Sequence, residues 1–223
     1  MLTPVITDSV GYGKLTKTAG TLIQQLVRPF HNAKTVITGF KYTAAGTAHT
    51  GTVRLPVGST TLSAAAAASQ AVITLSGQPT KARNVATSDI LVVERVETAS
   101  GYNYLTWEMY NVHASTAPVV NSDGTITVTL AANVTGAHLK GQKVWLMALD
   151  TDTIPGYNQT PPKYTLTASA GTELPTNALA ASGGLMGSFG RYEPLIWESN
   201  NATAAGTLEY LTAVGMIPAA AHA

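Results

Sequence analysis

The chain has 223 residues, no cysteine, a formal net charge of +1 and only 11% charged residues. That length suits one large all-β domain, or a domain with an arm, and the missing cysteines exclude disulfides and thiolate metal sites. The Lys and Arg residues are scattered (Lys14, Lys17, Arg28, Lys34, Lys41, Arg54, Lys81, Arg83), whereas direct nucleic-acid binding calls for a basic patch.

An ordinary soluble domain carries about a quarter charged residues. This chain carries less than half of that, so much of its surface is expected to be covered by copies of itself or by a partner. Thr and Ala number 33 each. Thr favours strands, because its branched Cβ fits a pleated surface. Met1 to Gly13 lack the basic start and apolar run of a signal peptide, and no 18-residue apolar stretch predicts a membrane-spanning helix.

Residues 1–33 read as an N-terminal arm. Leu22, Ile23, Leu26, Val27 and Phe30 fall at helix-like spacing, which predicts a turn or two of helix closed by Pro29 and His31-Asn32. From Lys34 the pattern turns to β and continues to residue 217. Strands are predicted over 35–42, 50–55 (stopped by Pro56) and 71–75. The five alanines 64–68 predict a helical turn or a tight crossover, since so short a helix is unstable alone. Further strands are predicted over 89–97 and 102–113, joined by the turn Ala99-Ser100-Gly101, and over 125–130 after Asn121-Ser122-Asp123-Gly124. In the next, 142–149, Val144, Leu146 and Ala148 share one face, and Trp145 and Met147 the other. Residues 150–162 and 168–190 read as loops, and strands over 163–167, 194–198 and 207–214 complete the body. Residues 218–223 form a flexible tail. About ten short strands with turns between them predict an all-β fold, a β-sandwich or β-barrel with an extended N-terminal arm.

Patterns that carry chemistry are incomplete. The five His (His31, His49, His113, His138, His222) show no metal-ligand spacing and are expected at the surface or an interface. Gly136 to Lys143 nearly matches a phosphate-binding loop, but Gln142 stands where the Lys must be and a strand follows. Met186-Gly187-Ser188-Phe189-Gly190 lacks the first glycine of a nucleophile elbow. Asp150 and Asp152 could offer oxygens to a hard cation, but paired acids are common in turns. Glu193, Glu198 and Glu209 lie in ordinary strand context rather than as an evident glycosidase pair. Trp107, Trp145 and Trp197 fit a core or interface better than a sugar-stacking platform. No catalytic residue, metal ligand or cofactor site is predicted.

Two stretches carry a resemblance. One runs Gly46-Thr47-Ala48-His49-Thr50 through Arg54-Leu55-Pro56 into Thr60-Thr61-Leu62-Ser63, the alanines 64–68 and Ala71-Val72-Ile73-Thr74-Leu75. The other is Pro194-Leu195-Ile196-Trp197-Glu198-Ser199-Asn200-Asn201, continuing to Tyr210. Both resemble tailed-bacteriophage virion proteins of the capsid decoration (cement) kind. The resemblance implies a non-enzymatic protein, made in the host cytoplasm, that binds the exterior of the expanded capsid. Its partners would be the major capsid protein and itself, as a homotrimer, with neither nucleic acid nor membrane. Such proteins bridge neighbouring subunits against internal pressure, and many weak contacts give large avidity. Contacts are then expected from Leu22, Leu26 and Phe30 of the arm and from Gly187 and Phe189. The rival readings are another virion component (tail-tube, fibre or capsid subunit) and a carbohydrate-binding β-sandwich module. A capsid subunit of the common tailed-phage fold should contain a long spine helix, for which no segment qualifies.

Overall fold

The structure is a computed structural model that describes residues 10–17, 24–27, 34–45, 49–54, 56–80, 83–99, 101–149, 152, 163–168, 194–199 and 205–215. Among these there are fourteen strands and no helix: β1 (Val10–Lys17), β2 (Gln24–Val27), β3 (Lys34–Ala45), β4 (His49–Arg54), β5 (Pro56–Thr61), β6 (Val72–Leu75), β7 (Ile90–Ala99), β8 (Tyr102–Asn111), β9 (Val119–Val120), β10 (Ile126–Thr129), β11 (Lys143–Met147), β12 (Lys163–Ala168), β13 (Leu195–Ser199) and β14 (Ala205–Gly215). The described residues are all-β, as the Thr-rich alternating segments require.

Two compact units divide it. One comprises Met1–Val53, Gly156–Gln159 and Tyr164–Ala223; the other comprises Arg54–Pro155 and Thr160–Lys163. In the first, β14 is the centre of the sheet β1-β14-β3, and β4 and β13 lie inside the sheet β12-β4-β13-β2. β14 pairs antiparallel with β1 from Val10↔Ala213 to Lys17↔Gly206. Its pairing with β3 shifts between Leu211 and Thr212, where a bulge leaves Thr38 unopposed. Glu209 is the register partner of Lys14 on one side and Lys41 on the other.

The second unit is an antiparallel β-sandwich of the sheets β5-β11-β7-β8 and β6-β10-β9. Period-two alternation builds its core. Leu91 and Val93 on β7, Tyr110 on β8, and Val144 and Leu146 on β11 meet Ile73 and Leu75 of β6 and Ile126 and Val128 of β10 in one buried cluster. The opposite face of the larger sheet is also buried, at Ile90, Val92, Trp107, Trp145 and Met147. The two-face reading of 142–149 therefore holds, and β11 is buried on both faces from Val144 to Met147.

The turns follow their chemistry. Gly101 (φ 80°) and Gly124 (φ 82°) take the left-handed conformation required at the β7–β8 and β9–β10 turns. In the latter, Asn121 N–H donates to Thr125 O at 2.8 Å, and the Asp123 carboxylate accepts from Thr125 N–H at 3.0 Å.

Every strand expected from the sequence is present, and β1, β2, β5 and β9 are additional. Gln24–Val27 is a strand paired with β13, not a turn of helix. Five apolar residues at helix-like spacing are too few to favour a helix over a ladder that supplies a partner strand. β4 ends at Arg54, ahead of Pro56 as expected, and Pro56 also opens β5, because the first position of a strand need not donate an N–H. The alanines 64–68 form no helix. Ala66 bridges His138 through N–H···O bonds of 2.9 and 2.8 Å, so the segment is the tight crossover.

Leu91 is fully buried at the centre of the sandwich. Leu91→Ala is expected to cost about 2–5 kcal/mol, read as a lower urea midpoint at unchanged slope.

Candidate functional site

Several ionisable side chains of the sandwich are drawn into two clusters, each joining segments distant in sequence. In the first, Arg83 sits between two aspartates. Its Nη1 donates to Asp89 Oδ2 at 2.6 Å, its Nη2 to Asp152 Oδ2 at 3.2 Å, and its Nε to Asp152 Oδ1. Asp89 also accepts from Ala86 N–H at 2.7 Å, and Asp152 from Leu149 N–H at 2.7 Å. A guanidinium thus occupies the place that a hard cation would need at Asp152. The cluster staples the residues after β11 to the loop before β7.

The second cluster centres on the Glu108 carboxylate of β8. Arg95, on the neighbouring strand β7, donates to its Oε1 at 2.5 Å and also pairs with Glu97 at 3.1 Å. Tyr110 donates its hydroxyl to Oε2, and His138 Nε2 lies 3.1 Å from the same oxygen. His138 Nε2 is also 3.1 Å from the Tyr110 hydroxyl, and its Nδ1 is 2.6 Å from the Glu94 carbonyl oxygen. Glu94 turns its own carboxylate to Lys143 N–H at 3.0 Å. Arg95 can lie over the 131–142 segment because residue 136 is glycine. A Cβ there would stand 1.9 Å from the guanidinium carbon.

Burial pushes Glu108 up, but the hydrogen bonds from Tyr110, Thr135 and Arg95 and the charge of His138 outweigh it, and its carboxyl lies below the usual 4.5. Burial, followed by the bond to Glu108, pushes the Tyr110 phenol up to about 12. Glu108 is thus an anion shared by three donors, and the arrangement holds strands and a loop together. Among the described residues, no group of three or more His, Asp or Glu could hold a metal ion.

His138 is buried, contrary to the expectation of a surface or interface position. Its ring can be interior because both nitrogens find partners. His113 meets the expectation in part: its Nδ1 accepts from Thr116 and Ser115 beside a turn. Trp107 and Trp145 are interior, Trp145 only 1% exposed, so neither presents a ring for sugar stacking. Lys143 Nζ lies 5.4 Å above the Trp145 ring. The Gly136–Lys143 segment runs as a loop into β11 and is occupied by the Glu108 cluster. Glu198 and Glu209 belong to different sheets, on β13 and β14. Leu22, Phe30, Gly187, Phe189, Asp150 and Glu193 lie outside the described residues, and Leu26 is placed only as a member of β2.

Sequence reasoning missed both clusters. Glu108 and Tyr110 occupy alternate inward positions of β8, so an acid recurring on the apolar face was the available signal. Nothing marked Gly136 or His138, whose segment has no periodicity.

No protein-family model and no curated protein matches the chain. Among solved structures, the VP2 subviral particle of infectious bursal disease virus aligns with 95% of this chain and 42% of that one, at 11% identity and a TM-score of 0.13. The chain thus spans under half the length of that protein, and a TM-score so low establishes no shared fold.

Two outcomes follow from the Glu108 cluster. Gly136→Ala must shift the Arg95 guanidinium, the end of a flexible side chain, an expected loss of up to about 1 kcal/mol, read from denaturant midpoints. The folded carboxyl is lowered, so the unfolded chain takes up the proton first as pH falls. The stabilisation is present above the ordinary carboxylate value and is lost as pH drops through the lowered one. Thermal midpoints across acid pH should fall more steeply in the native chain than in Glu108→Gln.

Proposed function

We propose that the chain is a non-enzymatic virion structural protein, a capsid decoration protein that binds the outer shell and stabilises it against internal pressure. The observation that carries this reading is the charge-free sheet β6-β10-β9. None of its three strands holds an ionisable residue, yet Val72, Val119 and Val120 are 44%, 57% and 63% exposed. A soluble surface is normally interspersed with both signs of charge. Exposed apolar residues on both edge strands of a sheet without charge fit a surface that a partner covers. β9 is also an edge strand, able to extend its ladder onto a partner.

Two further features support the same reading. The two stretches that resemble decoration proteins carry no catalytic motif, and Arg83, Asp89, Asp152, Arg95 and Glu108 are engaged in holding strands and loops together. The partners are the major capsid protein and further copies of this chain, on the capsid exterior after synthesis in the host cytoplasm.

The test is binding of purified protein to expanded, DNA-free capsids of tailed phages. Saturating binding should raise the capsid rupture temperature, and saturation without stabilisation would refute the proposal. A double variant, Val119→Lys with Val120→Lys, should weaken binding by about tenfold or more, equivalent to about 1.4 kcal/mol. Light scattering on a sizing column should give a discrete trimer near three times 23.1 kDa. Rings of six or more would favour a tail-tube role.

A further inference from the structure

Asp123-Gly124 is the only place in the chain where glycine follows an Asp or an Asn. In such a pair nothing shields the glycine nitrogen, and it can attack the side-chain carboxyl of the residue before it. A bond forms between Gly124 N and Asp123 Cγ, and the nitrogen's proton and the carboxyl's hydroxyl leave together as water. The cyclic imide then takes water back at either carbonyl. One opening restores aspartate. The other leaves isoaspartate, whose main chain runs through Cβ and Cγ and is one atom longer. That extra atom would displace Val120 from Ile126, its partner in the β9–β10 ladder.

The turn cannot avoid the pair. Gly124 has φ 82°, a conformation that glycine alone adopts without strain. Asp123 supplies the carboxylate that accepts from Thr125 N–H. Asp123 is exposed, so water is at hand and burial offers no protection.

We propose that Asp123 is a self-modification site held shut by the folded turn, and that Thr125, positioned by Asn121, is the residue that guards it. Asp123 Oδ1 accepts from Thr125 N–H at 3.0 Å and from the Thr125 hydroxyl at 2.7 Å. That hydroxyl accepts in turn from Asn121 Nδ2 at 2.9 Å, and Nδ2 also reaches Thr127 Oγ1 at 3.1 Å. The attacking nitrogen is engaged as well, since Gly124 N–H donates to Asn121 O at 3.0 Å. Ring closure must therefore break all three bonds at the reacting groups, two on the carboxylate and one on the amide. The bonds from Thr125 also hold the carboxyl below its ordinary value, which depletes the protonated form that can lose water. None of this depends on a virion role.

The experiment ages the full chain at mildly acidic pH and body temperature and locates isoaspartate by methyltransferase labelling and peptide mapping. Each protein is compared with itself unfolded in urea. The folded native chain should modify Asp123 about tenfold or more slowly than the unfolded one, as the loss of several hydrogen bonds would require. Folded Thr125→Val, which keeps the N–H but not the hydroxyl, should react about threefold or more faster than the folded native chain. Thr125→Ser should return the rate to the native one. Equal rates in the folded and unfolded native chain would overturn the proposal, as would a valine variant no faster than the native chain or a serine variant as fast as valine. If the valine variant does not fold, the native comparison alone decides.

Discussion

The architecture of the sandwich turns on one anion. Glu108 lies on the inward face of β8, where alternation would otherwise place an apolar side chain, and it is tolerated because polar partners gather around it. Arg95 donates from the neighbouring strand and Tyr110 from two residues along, and the His138 ring lies 3.1 Å away on a segment thirty residues downstream. Buried charge is costly unless paired and hydrogen-bonded throughout. The requirement therefore passes outward: Gly136 must be small to admit Arg95, and Ala66 must approach closely enough to bridge His138. The irregular loop between β10 and β11 is thus held on one side by backbone bonds to the 62–70 crossover and on the other by the Glu108 cluster.

This inward use of charge bears on the outer surface. The chain has few ionisable residues, and the sandwich places Arg83, Asp89, Asp152, Arg95, Glu108 and His138 in structural pairings. Its smaller sheet is left with Thr and Val outside. A protein built this way gives up the repulsion that keeps monomers apart, an arrangement suited to a subunit meant to be covered.

The fold class was legible because it rests on a short-range rule. Thr-Val-Ile alternation and Asp-Gly or Ser-Gly turns specify strands locally, and β7, β8, β10 and β11 fell where the alternation put them. What escaped the sequence depends on partners. β2 is a strand because β13 lies beside it, and β9 has only two residues and is defined by β10. Trp145 and Met147 read correctly as a second face, and the burial of that face was not readable from period two alone. The Glu108 cluster was least legible, since its members span residues 94 to 138 and only the fold brings them together.

The pairing of β1 with β14 has a consequence for how the molecule is made. Val10 meets Ala213, a separation of about two hundred residues, the kind of contact that closes slowly. The sandwich is assembled mostly from one continuous stretch, Arg54–Pro155, so it can form while the rest of the chain is still on the ribosome. β1 and β3 must wait for the strand between them. Until β14 emerges they present unpaired strand edges, and this interval is when the nascent chain is most exposed to mispairing with its neighbours on the same message.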